Sequence, residues 1–349
     1  VSRATAQPGA APVKRALAAF ALLVLLGSGG AAVLLRRWWQ TSLRAPERSE
    51  TVIVDVPGGA AFRSVAAQLE AQGVIRDARA FGWLARLEKK DGALKVGEYE
   101  IEPGLDAHAV LDLLVSGRVR LHGVSIPEGL TLVDIAQRVS DAGFGTADEF
   151  VALARDPALA KGHGIPGDTL EGFLFPETYR FPRSASAREV IAAQLAQFER
   201  AWAEVAPLAQ KRGMAKRDVV ILASLIEKET GAPEERPLIS AVFHNRLAKR
   251  MRLETDPSVI YGIANFDGNL RRVHLEDESN PYNTYRIPAL PPGPIANPGL
   301  ASLRAAVEPT PGVDFLFFVA RGDGTHEFTT TYRDHVNAVN RWQLRRGRR

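Results

Sequence analysis

Cysteine is absent from the 349 residues. That excludes a disulfide framework, a thiol nucleophile, a cysteine-bound zinc or cluster, and a lipid-modified N-terminal cysteine. There is also no G-x-S-x-G elbow, no H-E-x-x-H helix and no Walker loop, and the 7 histidines are scattered without metal-ligand spacing. No metal and no cofactor is expected. Neither sign of charge dominates: 44 basic against 40 acidic side chains leave +4, and basic residues cluster at the ends, in Lys14, Arg15, Arg36 and Arg37 and again in Arg341, Arg345, Arg346, Arg348 and Arg349. A basic balance built from chain ends gives little ground for nucleic acid, and no such partner is expected. With 46% apolar and 24% charged residues the chain is long enough for two compact domains, and its composition is not that of a disordered protein.

Long apolar runs are scarce, with one exception. Ala16 to Leu35 carries no charge and is bounded by Lys14 and Arg15 before it and Arg36 and Arg37 after it. At about 1.5 Å of rise per residue such a helix just crosses a hydrocarbon core of roughly 30 Å. Trp38 and Trp39 follow, where amphipathic rings favour the headgroup zone. A cleaved signal peptide is the rival reading, with small residues over Gly27 to Ala32, but the run continues past them through Val33, Leu34 and Leu35. Basic residues on both flanks leave charge counting indecisive about orientation. The expected organisation is a cytoplasmic tail over 1–15, a transmembrane helix over 16–35, a linker over 36–50, a small module over 51–117 and a larger α+β catalytic domain over 118–349. The polar stretch from Thr41 to Glu50 suits a short tether lifting the rest off the bilayer.

A repeat follows. Val54 to Val74 and Val124 to Phe144 match at an offset of 70, each reading as a short strand, a Pro/Gly turn and an amphipathic helix closed by Gly73 or Gly143. After the first copy, Asp77 is placed to cap a helix through Phe81 and Leu84; GEYEIEP reads as a strand, and Leu105 to Ser116 as a helix ended by Gly117. Near the end, FLFFVARGDGTHEFTTT has the pattern of a hairpin around an Arg-Gly-Asp-Gly turn, with a terminal helix behind it.

Carboxylates, aromatics and amides concentrate between Glu171 and Tyr332, the inventory of a carbohydrate cleft. The densest segment is DVVILASLIEKETG, a helix expected to start at Asp218 and stop at Gly231. At 100° per residue Glu229 projects between Leu222 and Leu225 in an apolar arc, while Glu227 lies towards Ala223 and Ser224. Glu229 is therefore the carboxyl the fold would desolvate. Burial and the negative end of the helix dipole both favour its protonated form, as a proton donor to a glycosidic oxygen requires. The bland alternative is an ordinary solvated helix end. A second helix, Glu234 to Met251, brings Asn245 and Arg246; LETDPSVIYG brings Asp256 and Tyr261. The proline-stiffened loop NPYNTYRIPALPPGPIANPG displays Tyr282, Asn283, Thr284, Tyr285, Arg286 and Asn297, side chains suited to stacking on sugars and hydrogen-bonding their substituents.

The ordered strings EGFLFPETYRFP, ILASLIEKET, FHNRLAKRMRLETDPSVIYG, YNTYRIPALPPGPIANPG and FVARGDGTHEFTTT resemble the endolytic murein transglycosylases of the MltG (YceG-like) family, over nearly everything beyond residue 50. The resemblance implies a LysM-like small module, peptidoglycan strands as substrate, peptidoglycan synthases as partners, and a single-pass protein of the inner membrane with its catalytic domain periplasmic. It places the catalytic glutamate at Glu229. It implies a single acid/base: Glu229 would protonate the oxygen between MurNAc and GlcNAc, and the same carboxylate would then help the MurNAc 6-hydroxyl close on its own anomeric carbon to leave a 1,6-anhydro end. Glu227, Glu177, Asn245, Arg246, Asp256, Tyr261, Tyr282, Asn283, Thr284, Tyr285 and Asn297 are the candidate supporting residues. Where the family has Gln in its L-Q-T-D-P string, this sequence has Glu254. Two alternatives stand beside this reading: a muramidase-type hydrolase using Asp256 or Glu254 as a second carboxylate, and a non-catalytic peptidoglycan-binding scaffold.

Overall fold

The structure, a computed structural model, describes residues 11–344; residues 1–10 and 345–349, and the side chains of 11–19 and 21–27, lie outside that description. Most of the expected cytoplasmic tail, and most side chains of the expected span, therefore fall outside it. A helix, α1, runs Ala11–Ser42. Among the described residues no helix is long and apolar enough to cross a membrane. The chain divides into two compact units, residues 1–120 and 121–349, and its class is α+β.

The first unit continues with β1 (Val52–Val56), α2 (Phe62–Ala71), α3 (Ala78–Leu87), β2 (Gly97–Ile101) and α4 (Ala107–Ser116). The strands pair antiparallel with Val54 opposite Tyr99, and alternate residues of each face a core built on Val54, Leu69, Phe81, Tyr99, Leu111 and Leu114. Tyr99 keeps its hydroxyl satisfied inside this core by donating to the Lys95 and Leu114 carbonyls. Asp77 caps α3 as expected, accepting from the Arg79 and Ala80 amides, and Gly117 ends α4 in the left-handed region.

The segment expected to be a tether is not one. It is helical through Ser42, and Ser42 and Leu43 are buried. The Ala107 amide donates to the Leu43 carbonyl at 3.0 Å, Arg76 to the Ala45 carbonyl at 3.0 Å, and Trp38 Nε1 to Asp77 at 3.0 Å. The stretch looked unpatterned because it docks through scattered bonds, the Leu43 and Ala45 carbonyls and the Trp38 and Arg48 side chains, together with one buried leucine, which leave no periodic signal.

The second unit contains β3 (Leu121–Ser125), α5 (Leu132–Asp141), α6 (Ala147–Ala154), α7 (Pro157–Gly162), β4 (Thr178–Pro182), α8 (Ala187–Arg212), α9 (Lys216–Glu229), a 3-10 turn at Pro233–Glu235, and α10 (Arg236–Ala248). It finishes with α11 (Asp256–Tyr261), α12 (Arg272–Glu276), α13 (Leu300–Val307), the hairpin β5 (Phe317–Ala320) and β6 (His326–Thr329), and α14 (Tyr332–Val339). β3 pairs antiparallel with β4, and β5 with β6, Phe318 lying opposite Phe328. Both copies of the repeat end as expected, with Gly73 and Gly143 at positive φ just beyond α2 and α5. Only the second has a side-chain cap, a Thr131–Asp134 capping box.

Helix α9 is the centre of this unit. Every residue from Val219 to Ile226 is buried, and α8, α10, α11 and α13 pack around it. Two boundaries differ from expectation. The helix begins at Lys216 without a side-chain cap, so Asp218 lies inside the first turn, where its charge meets the positive end of the dipole. The expected Glu234 to Met251 helix is split, because Pro237 belongs in a first turn and so starts α10 at Arg236.

Candidate active site

α9 ends at Glu229, and the chain must turn there because the hairpin β5–β6 lies across its exit. A Cβ on Gly231 would stand 2.3 Å from the Gly324 carbonyl at the hairpin tip, so only glycine allows this approach. The hairpin in turn brings Phe317, Phe318 and His326, and α14 brings Tyr332 and His335, to a cavity of about 440 Å³ whose other wall is Glu229, Arg246, Glu254, Asp256 and Tyr285.

Among the described residues the Glu229 carboxyl has no hydrogen-bond partner in the protein, whereas the two other carboxylates of the pocket are both engaged. Asp256 accepts from the Tyr285 hydroxyl at 2.7 Å. Glu254 is paired with Arg246 at 3.1 Å, and Arg246 also donates to the Leu316, Arg252 and Leu253 carbonyls while lying 5.0 Å over the Phe317 ring. Burial first, and the Asp256 charge second, push the Glu229 pKa from 4.5 to about 8. Burial and the same Asp256 carboxylate raise the Tyr285 hydroxyl as well, so it stays a donor. The pocket thus offers one protonated carboxyl among acids already committed to partners.

Glu227 has a different task. Because α9 is buried on all sides, the apolar arc does not separate the two glutamates: the Glu227 side chain is only 7% exposed. What separates them is pairing. Glu227 meets Arg236 at 3.3 Å and accepts the Gly299 amide at 3.1 Å, and Arg236 also reaches Glu128 and Ser302. Glu227→Gln keeps an acceptor for Gly299 but breaks the ion pair. It should lower stability by roughly 1–3 kcal/mol while the folded fraction keeps its activity, as denaturant melts and assays on the same preparation will check. A folded but inactive variant would move Glu227 into the chemistry.

The remaining candidates divide sharply. Arg246, Asp256 and Tyr285 reach the pocket. Thr284 does not: its buried hydroxyl accepts from the Thr255 amide at 2.9 Å and meets Ser258 at 2.8 Å, and its carbonyl accepts from Glu254, holding Glu254 at φ 53. Asn283 is buried and donates to the His274, Leu275 and Asp277 carbonyls. Asn245 donates to the Val313 and Phe315 carbonyls, fixing the approach to the hairpin. Glu177 is exposed and accepts from the Thr178 amide, away from the pocket. Tyr261 and Tyr282 pack edge to face at 4.8 Å instead of offering faces to sugar.

Tyr261 and Asn297 instead meet at a residue the sequence reading passed over. Glu171, 2% exposed, accepts from the Leu132 amide at 3.1 Å, the Tyr261 hydroxyl at 3.1 Å and Asn297 Nδ2 at 2.8 Å. Burial outweighs these donors and lifts its pKa to about 7. Its place at the head of EGFLFPETYRFP was the signal available. The pocket side chains missed from sequence, Phe317, Phe318, His326, Tyr332 and His335, belong to a segment whose strands were recognised but whose destination was not.

One protonated carboxyl in a pocket lined by aromatics and paired charges is the site of an acid–base enzyme. The YceG-like family matches residues 54–341, and the chain belongs to it. A Bacillus subtilis endolytic murein transglycosylase is 30% identical over 84% of this chain and 85% of its own length. A Streptococcus pneumoniae endolytic murein transglycosylase is 27% identical over 82% of this chain, which spans 58% of that relative. The crystal structure of a YceG-like protein from Listeria monocytogenes superposes with a TM-score of 0.59 at 30% identity, covering 83% of this chain and 99% of that one.

Proposed function

We propose that this chain is an endolytic murein transglycosylase, cutting peptidoglycan strands between MurNAc and GlcNAc and leaving 1,6-anhydro-MurNAc ends. The observation that carries the reading is the unpaired Glu229 carboxyl, held protonated in the pocket by burial and Asp256. Protonated, it gives its hydrogen to the bridging oxygen as the C1–O bond breaks, and the 6-hydroxyl of the same MurNAc attacks C1; in the one-glutamate form of the reaction the hydrogen of that hydroxyl passes to the carboxylate left on Glu229, which restores the acid. A hydrolase needs a second free carboxylate to activate water or to attack. Here Asp256 is bonded to Tyr285 and Glu254 to Arg246, which favours the intramolecular route. Digestion of purified sacculi followed by mass analysis tests this directly: products one water lighter than hydrolytic ends support it, and hydrated ends overturn it.

The first unit we read as the LysM-like, glycan-holding module, and the apolar run of α1 as a single-pass inner-membrane anchor with the catalytic unit on the periplasmic side, within reach of the synthases that make nascent strands. The seating of α1 supports the anchor. Leu35 and Trp38 form one apolar groove with Trp83 and Leu87 of α3, and Leu34, Leu35, Trp83 and Leu87 are all more than half exposed to water. Arg36 borders the groove and Arg86 lies over the Trp83 ring, the mixture of aromatic and basic groups that suits a headgroup zone. As the chain has no cysteine, Leu34→Cys and Leu87→Cys can each carry a polarity-sensitive dye. In nanodiscs both should be quenched by nitroxide-bearing lipid and protected from aqueous iodide. Iodide access at both positions would refute the anchor.

A further inference from the structure

Glu235 and His326 form a dyad, its histidine lining the same pocket as Glu229, that the one-glutamate mechanism leaves unused. Glu235, in the turn before α10, is 9% exposed, and both its oxygens serve one residue: they accept the His326 amide at 3.0 and 3.1 Å, and one also takes His326 Nδ1 at 2.7 Å. A carboxylate can only accept, so Nδ1 carries a hydrogen, and in the neutral ring Nε2 is the nitrogen with the lone pair. The ring is braced edge-on against Phe318 at 5.4 Å and borders the pocket that Glu229 occupies. Among the described residues Nε2 has no hydrogen-bond partner. Stapling the hairpin to α10 needs no more than the backbone bond to Glu235. The second bond fixes ring orientation and tautomer, the arrangement by which a buried acid prepares an imidazole for proton transfer.

We propose that His326 is a second proton-handling residue of the reaction, its Nε2 taking the hydrogen of the MurNAc 6-hydroxyl while Glu229 protonates the departing GlcNAc oxygen. The inference rests on the transglycosylase reading above. In the step the O6–H bond breaks and N–H forms, O6 bonds to C1, C1 releases the bridging oxygen, and that oxygen takes the Glu229 hydrogen. The imidazolium then returns its proton through water to the Glu229 carboxylate, so no proton is consumed. A lone glutamate has to give its proton up before it can accept another. Two groups allow both transfers in one step. The other charged or titratable groups lining the pocket are Arg246, Glu254, Asp256, Tyr285, Tyr332 and His335; Arg246–Glu254 and Tyr285–Asp256 are already paired.

Two amide substitutions separate chemistry from stapling. In His326→Asn the side-chain nitrogen replaces Nδ1 and keeps the Glu235 bond, but nothing replaces Nε2. It should melt like the parent, keep KM and lose about 10²-fold in kcat. Glu235→Gln leaves His326 in place but lets an amide donate to Nδ1, which puts the hydrogen on Nε2; it should lose a comparable part of kcat. Release of anhydro ends by the parent, together with a parental kcat in both variants, would overturn this proposal alone. Release of hydrated ends by the parent would remove the accepting 6-hydroxyl and overturn it together with the reading it rests on.

Discussion

Glu229→Gln should lose roughly 10²- to 10⁴-fold in the rate of anhydro-end formation with the fold intact. Gln fills the same volume at the end of α9 but has no proton to give. In the parent, Glu229 acts while protonated, so activity should fall as pH rises through about 8, the value to which burial and Asp256 lift it. The same shift has a stability consequence of definite sign. A carboxyl whose folded pKa lies above its unfolded value contributes stability that is present below about 4.5 and lost as pH climbs through about 8. Glu229→Gln removes that loss. Its denaturation midpoint should match or exceed the parent's at pH 9, with less difference at pH 5, while its activity is nearly gone. Parental activity in a folded Glu229→Gln would reject the assignment. A midpoint at pH 9 well below the parent's would show that Glu229 is not held at the cost of stability.

Glu171→Ala should be the most destabilising single change in the catalytic unit outside its apolar core. It strands the Leu132 amide and the Tyr261 hydroxyl and takes from Asn297 Nδ2 one of its two acceptors, the other being the Leu130 carbonyl, so three buried donors are affected at once. Stranded buried donors cost about 1–3 kcal/mol each, and the total is held down because the Glu171 charge is itself costly to bury; a net loss of roughly 3 kcal/mol is expected. The parent itself loses stability as pH rises towards about 7, where Glu171 ionises in the fold. The deficit should therefore be larger at pH 5 than at pH 8. Activity should fall too, because Glu171 holds α11 by Tyr261 at one end while Asp256 lines the pocket at the other. Urea melts at the two pH values are the check. A variant as stable as the parent would mean that water satisfies all three donors, and that this buried cluster is not what fixes α11.

Local patterns and their end signals carried most of the framework. Asp77, Gly73, Gly117 and Gly143 mark helix ends by chemistry confined to one turn, so α2, α3, α4 and α5 could be read directly, as could the hairpin around its Arg-Gly-Asp-Gly turn. Helix starts are less sharply marked: α9 begins at Lys216 and not at Asp218, and α10 at Arg236 and not at Glu234, because an acid or a proline near a helix start fits several adjacent positions. The residues after Trp39 read as a tether because the Leu43 and Ala45 carbonyls and the Arg48 side chain that dock them form no periodic pattern.

At the site the sequence determined which residue types were available and drew attention to Glu229 and its string. The tertiary structure decided what each of them does. Glu227 and Glu229 lie two positions apart on a buried helix, and neither periodicity nor burial tells them apart. Arg236 and the Gly299 amide, distant in sequence, claim the first and leave the second without a partner. Asn283, Thr284, Tyr261 and Asn297 have the chemistry to bind sugar, and the fold spends that chemistry on carbonyls, amides and Glu171. His326 reaches the pocket only because Gly231 lets the hairpin cross the end of α9. A side chain's identity fixes the bonds it is able to make. Which of them it makes depends on partners that only the folded chain brings within about 3 Å.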